Sequence, residues 1–296
     1  MLSSFSDSAS KPRDPPEIPL PSRSARLIPT LTALLLAALA AAVPAGEPKE
    51  PEAKPANPLA GWSLENETFT RPLAERALGE SRVRILNDYG SVYVRTGDKQ
   101  VEISTVAQRQ DGDPYRLLLE AREEGGVLVI EVKAKLEAGK SDPGGALAAF
   151  RRRLDLSLFQ PAGVPLEVVA EDSIQTKKLR CDVDLLARKG AIFLDTFGHP
   201  RAKAFDKQIR GVLRDTRWTR PAEIETRSGE IKLYFLEGAD VEVEATTMGA
   251  ITTDYSLEIE RSPGQIRKKA RARLGQGTAR LALRSEAGPI QILLNV

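Results

Sequence analysis

The sequence predicts an all-β protein coiled as a β-solenoid of the single-stranded β-helix type, and three observations carry that expectation. First, apolar and polar residues alternate at period two from Ser81 onward, as in RVRILNDYGSVYVRTGDKQVEISTV, with Asn-Asp, Gly and Gly-Asp between the runs. Alternation bounded by turn residues marks half-buried strands. Second, long helical periodicity is missing, apart from Gly145 to Arg153 and Arg201 to Arg210, which read as short helical turns in inserted loops. Third, glycines recur near a fixed phase: Gly190 opens GAIFL, Gly211 GVLRD, Gly229 GEIKL, Gly249 GAITT and Gly288 GPIQI, at spacings of 21, 18, 20 and 39 residues. A period near twenty is the mark of a solenoid. The last gap is close to two periods, with the missed unit expected in the irregular RSPGQIRKK stretch.

Strand geometry agrees with this period. About twenty residues at ~3.3 Å each trace a path of about 66 Å, enough for one turn of a narrow coil whose turns stack about 4.8 Å apart. The repeat glycines, with Gly90 in the related GSVYV element, are expected to adopt φ above zero where the chain swings into the next strand. The residues two and four positions on, as in Ile192/Leu194, Ile231/Leu233 and Ile290/Ile292, are expected to face inward. A β-sandwich with a strand every 8 to 12 residues predicts a similar alternation and is the alternative.

Ahead of the strands the chain carries an address and a spacer. Leu31 to Val43 form an uncharged run preceded by Arg23 and Arg26. Thirteen helical residues reach about 20 Å, short of a ~30 Å bilayer core. Residues 1–45 therefore read as a signal peptide, with small residues Val43 and Ala45 placing cleavage before Gly46. An uncleaved signal anchor starting at Leu27 is the alternative. No cysteine follows the run, which excludes a lipoprotein. Residues 46–60, GEPKEPEAKPANPLA, interleave four prolines with charge and read as an extended linker. Residues 61–296 are left as the β domain, and the protein is expected to be exported to the periplasm, the cell surface or the medium.

Composition removes several chemistries. Lys and Arg total 43 against 41 Asp and Glu, a balance that gives no reason to expect nucleic acid as a partner. One cysteine, Cys181, excludes an internal disulfide and any multi-cysteine metal site, and one histidine, His199, argues against a histidine-based zinc site. No cofactor and no metal are expected, and the membrane enters only through an uncleaved anchor.

The residues that could carry chemistry each have a plainer reading. Asp182/Asp184, Glu223/Glu225 and Glu242/Glu244 have the i, i+2 spacing that puts two carboxylates on one strand face, where a polysaccharide-cleaving enzyme would need an acid and a base. The same spacing describes the solvated face of a strand, with Arg227, Lys232 and Arg214 at hand to neutralise it. The carboxylates form no D-x-D-x-D-G calcium loop. The basic runs RRR (151–153) and RKKARAR (267–273) lack interleaved aromatics and read as solvated loops. Cys181 opens a strand and reads as a small buried residue, His199 lies in a loop, and Ser228 reads as a turn-capping hydroxyl. No catalytic residue is assigned.

Two stretches resemble a known family. ETFTRPLAERALGESRVRILNDYGSVYVRTGDKQVEIS, and TTMGAITTDYSLEI followed by LGQGTARLALRSEAGPIQILL, are similar to the opening and closing elements of the DUF4097 group of adhesin-like, β-helical exported proteins. The resemblance spans roughly residues 65 to 296, and Ala287 and Pro289 stand where the family more often has a small polar pair. It implies surface attachment and brings no catalytic residues. The expected function is a non-enzymatic envelope or surface protein that binds a glycan, a wall component or another protein. The alternative is a polysaccharide-active β-helical enzyme using one of the carboxylate pairs.

Overall fold

The computed structural model describes residues 62–72, 82–98, 100–142, 151–260 and 266–295. The expected export signal and linker lie outside them. All regular structure among the described residues is strand, and no helix there is long and apolar enough to cross a membrane.

Twenty-one strands run in order: β1 (Trp62–Pro72), β2 (Arg82–Asn87), β3 (Val92–Gly97), β4 (Gln100–Gln110), β5 (Tyr115–Glu124), β6 (Val127–Leu136), β7 (Arg152–Pro161), β8 (Leu166–Ala170), β9 (Ile174–Lys177), β10 (Val183–Ala187) and β11 (Ile192–Thr196). They continue with β12 (Pro200–Ala204), β13 (Ile209–Leu213), β14 (Ala222–Thr226), β15 (Ile231–Leu236), β16 (Val241–Thr247), β17 (Ile251–Thr253), β18 (Leu257–Glu260), β19 (Lys268–Leu274), β20 (Ala279–Ser285) and β21 (Ile290–Asn295). They form two mixed, open sheets. Sheet A has the order β1-β4-β7-β3-β9-β11-β13-β15-β21-β17, and sheet B the order β18-β19-β16-β20-β14-β12-β10-β8-β2-β6-β5.

From β8 to β17 the chain passes alternately from sheet B to sheet A. Within each sheet the successive strands pair in parallel and in register up to β14 and β15, beyond which β20 and β21 intervene before β16 and β17. Ile174, Ile192, Ile209 and Ile231 stand in one line that Ile290 and Ile251 continue. The period-two alternation explains the packing, since inward residues such as Ile192, Leu194, Leu185 and Ala187 are at most 2% exposed and join one apolar cluster fed by both sheets. Antiparallel pairs occur toward the ends of the sheets, in β1/β4, β4/β7, β5/β6, β16/β19 and β18/β19.

The repeat glycines owe their place to a different cause from the one the sequence suggested. None of Gly90, Gly190, Gly211, Gly229, Gly249 or Gly288 has φ above zero. Five of them lie in turns where neighbouring passes touch backbone to backbone. A Cβ on Gly190 would sit 2.1 Å from Ser173 N, one on Gly229 2.0 Å from Lys207 O, and one on Gly288 1.9 Å from Gly229 O. Gly90 meets Leu154 O at 2.4 Å and Gly249 meets Ala287 O at 2.7 Å. Gly211 belongs to another phase altogether. It lies inside β13, opposite Leu194 and Leu233, at an inward position.

The hydroxyls upstream of these glycines close the same corner. Thr226 Oγ1 accepts from Gly229 N at 3.1 Å and donates to Phe205 O at 3.0 Å. Ser285 and Thr247 repeat the arrangement with Gly288 N and Gly249 N. Ser228, the residue that looked like the cap, points instead to Asp206 at 3.1 Å.

Two further expectations are corrected. Arg201 to Arg210 is the end of β12, a turn and the start of β13, with Ala202, Ala204 and Ile209 buried at period two, so the stretch is strand where a helical turn was expected. The 39-residue gap hides no missed unit, because the chain order differs from the stacking order. β20 and β21 insert between the passes made by β14/β15 and β16/β17, so Gly288 stacks directly on Gly229 and Gly249 on Gly288.

Candidate functional site

The two outward faces carry different charge patterns. On sheet B, acids and bases oppose one another strand by strand: Arg84 faces Glu167, Asp184 faces Arg201, Arg201 faces Glu223, Lys203 faces Glu225, and Arg271 lies between Glu244 and Glu258. Opposite charges across a strand pair are mildly stabilising. The RKKARAR run belongs to this ladder, since Lys269 and Arg271 reach Glu244 and Glu242 at 3.4 Å each.

All three candidate carboxylate pairs are taken up in ion pairs. Asp182 has both oxygens filled, by Arg220 at 2.6 Å and by His199 N at 3.0 Å, and so ties the 214–221 loop to the turn before β12. Glu223 is held by Arg284, Glu225 by Lys203 at 3.2 Å, and Glu242 and Glu244 by Arg271 and Lys269. Asp184 is held most loosely, with one 3.4 Å contact to Arg201. Burial raises its carboxyl above the usual range despite that arginine, and Glu167 opposite adds to the rise. The expected partners act elsewhere: Arg227 binds Asp206, Arg214 binds Asp195, and Lys232 lies over the Tyr234 ring.

The other chemical candidates disperse. Cys181 is buried against Gln160 Nε2 at 3.6 Å, and burial pushes its thiol up to about 12, which leaves no thiolate at neutral pH. His199 contacts Pro221 O at 3.0 Å and stands edge-on to Trp218, with ring centres 6.4 Å apart. Of the RRR run, Arg152 has a side chain only 3% exposed and forms a bidentate pair with the buried Asp113 carboxylate, at 2.8 Å on each oxygen, while Arg153 reaches Asp155 and Asp172. Among the described residues no group of three or more His, Cys, Asp or Glu is arranged to hold a metal ion.

Sheet A differs. Its outward rows bring Tyr93, Gln175, Phe193, Arg210 and Lys232 into one line across the strands, and Arg95 opposite Lys177 in the next. Phe193 is 38% and Phe197 37% exposed. Arg95 stacks on Tyr93 at 4.6 Å, and Phe197 lies between Arg180 and Arg214, at 5.6 and 5.7 Å. Arg210 and Arg214 have carboxylates in Glu230 and Asp195. Among the described residues no carboxylate pairs with Arg95, Lys177, Lys178, Arg180 or Lys232. Beside Arg180 and Phe197 opens a shallow cleft of about 470 Å³. Sequence reasoning missed this set because its members are spread from 93 to 232, and only strand register brings them together. The outward phase of each strand was the available signal.

No family model matches the chain, and no curated protein matches it in sequence. The resemblance to DUF4097 therefore rests on the residues quoted above. Similar solved structures include a "putative cell adhesion protein" from Clostridium sporogenes (9% identity, TM-score 0.45, covering 78% of this chain and 100% of that one). A "putative adhesin" from Bacteroides fragilis follows (11%, TM-score 0.25, 77% and 97% covered), as does a "putative lipid binding protein" from Parabacteroides distasonis (12%, TM-score 0.26, 78% and 97% covered). At these scores and identities the likenesses carry no part of the functional reading.

Proposed function

We propose that the chain is a non-enzymatic, exported envelope or surface protein of adhesin-like kind, built as a two-sheet β-solenoid whose sheet A face binds a glycan, a wall component or another protein. The observation that carries this reading is the asymmetry of the faces among the described residues: sheet B pairs most of its charges across strands, with exceptions such as Lys135 and Arg280, whereas sheet A gathers Arg95, Lys177 and Lys178 beside open aromatic rings without a carboxylate partner. The solenoid form is supported by the strict alternation of β8 to β17 between sheets and by their parallel pairing. A Greek-key sandwich would pair these strands antiparallel. Export rests on residues 1–45, with a mature chain starting GEPKEP. Nucleic acid and cofactors have no place in this reading, and the membrane enters only through an uncleaved anchor.

Asp184 favours a second reading as a polysaccharide-active enzyme, because a carboxyl raised by burial suits a general acid. Its i, i+2 neighbour Asp182 precedes β10, about 7 Å away along the backbone, a spacing from which two carboxyls could flank a glycosidic bond. Against it, both Asp182 oxygens are occupied by protein donors. A glycan panel scored for both binding and turnover separates the readings. Binding without turnover is expected. Turnover that disappears in Asp182→Asn or Glu223→Gln would replace the first reading with the second.

A further inference from the structure

We propose that the sheet A corner formed by Arg95, Lys177, Lys178 and Arg180, with the rings of Tyr93 and Phe197 beside it, binds the acid groups of a linear anionic polysaccharide lying across the strands. The proposal rests on the glycan-binding reading above and narrows it to one chemical class.

Two features at this corner work against stability, and an anionic ligand would offset both. Arg95 and Lys177 stand directly opposite each other on neighbouring parallel strands, about 4.8 Å apart in the pairing direction. Like charges so placed are unfavourable, and sheet B meets most such contacts with an opposite charge. The second feature is Lys178, the non-glycine residue with positive φ (52°) among the described residues. β9 and β11 pair as Ile192↔Ile174 and Phe193↔Gln175, but farther on as Thr196↔Leu179. The register has slipped by one, so β9 carries an extra residue, a bulge at Lys178. The bulge turns two consecutive lysines to solvent between buried Thr176 and Leu179. Bulges of this kind re-aim side chains, and a strained backbone retained at an exposed lysine points to a use for that lysine.

The face continues the site in one direction. Lys232 on β15, opposite the Glu230-bound Arg210 on β13, adds a further open cation, so cations recur over a span of about 19 Å from β3 to β15. One strand spacing is close to the length of a pyranose ring, and Phe193 and Tyr234 give sugar faces a surface to stack on. The acids within or beside this face are held by other side chains: Asp195, in the row between Lys177 and Tyr234, by Arg214, Glu230 by Arg210, and Asp182 by Arg220. Glu102, on β4, lies beyond β7 on the far side of Arg95.

The test measures binding of sodium polygalacturonate to the purified full chain, with neutral dextran, single-stranded DNA and phosphatidylserine vesicles as comparisons. Polygalacturonate should bind tightest, with a log–log salt slope of about −2 to −4 from the four cations. Lys177→Glu/Lys178→Glu should weaken it about tenfold or more, whereas Arg271→Glu on sheet B should change it less than about twofold. Lys178→Gly, which suits the left-handed backbone, should keep or raise the Tm while weakening binding several-fold. Equal losses in Arg271→Glu and the double lysine variant, tighter binding of DNA or vesicles, or a Lys178→Gly protein with unchanged affinity would each overturn the proposal. Binding of dextran but not polygalacturonate would overturn it and leave the glycan-binding reading standing. Binding of no polysaccharide would remove both.

Discussion

Replacing Gly229 by alanine separates close backbone approach from backbone conformation as the reason for the repeat glycines. The added Cβ would lie 2.0 Å from Lys207 O and 2.3 Å from Lys207 C, where a carbon–oxygen contact normally needs about 3.3 Å. The two passes must part by about 1 Å. The bonds that join them here are Arg227 N to Phe205 O at 2.7 Å and Ile209 N to Glu230 O at 2.8 Å, with Thr226 Oγ1 bridging to Phe205 O. Losing two or three such bonds costs about 2 to 4 kcal/mol. Gly238 supplies the control, since it has φ +82° and nothing within 4 Å of its added Cβ. Alanine there meets only left-handed strain, about 1 to 2 kcal/mol. Urea unfolding followed by circular dichroism gives both values if the m-values match. If Gly229→Ala costs no more than Gly238→Ala, the stacking explanation fails.

Three further outcomes follow from the packing. Asp113→Asn or Arg152→Met should each cost about 3 to 5 kcal/mol by removing one charge of a buried ion pair, while the double variant Asp113→Leu/Arg152→Met should recover much of the loss; equal costs in the single and double variants would contradict this, and thermal unfolding measures all three. The Cys181 thiol, raised by burial to about 12, should resist maleimide at pH 8 until the chain unfolds. Because its folded value is raised, that contribution to stability is present below the usual thiol value near 9 and is lost as the pH rises toward 12, so rapid labelling of native protein would refute the burial. Deleting residues 281–296 removes β21 and most of β20 from inside both sheets, and should abolish cooperative unfolding in calorimetry; a folded monomer would count against the interleaved order.

The strand-rich class was legible because period-two burial leaves its trace directly in the sequence, as in Ile231/Leu233 and Ile290/Ile292. The repeat glycines were visible too, yet their cause was not. A glycine required by φ and one required by a carbonyl two ångströms away read alike until the neighbouring pass is in place. The insertion of β20 and β21 between earlier passes could not be read from spacing, since the sequence records chain order and not stacking order. Among functional residues, contiguous charge misled. RRR and RKKARAR are dominated by paired side chains, whereas the open cations are Arg95, Lys232 and the short KKLR stretch of Lys177, Lys178 and Arg180, which register alone joins into one face. Lys177 and Lys178 are adjacent in sequence, but their bulge appears only in the register with β11.

Lysine footprinting by acylation and mass spectrometry, with and without sodium polygalacturonate, tests most directly the claim that sheet A is the binding face. Each face carries its own reporters, Lys177, Lys178 and Lys232 on sheet A and Lys203 and Lys269 on sheet B, all in exposed or half-buried positions. The account predicts that the polysaccharide slows acylation of Lys177 and Lys178 most, slows Lys232 as well, and leaves Lys203 and Lys269 unchanged. Equal protection on both faces, protection confined to sheet B, or no protection at all would contradict it.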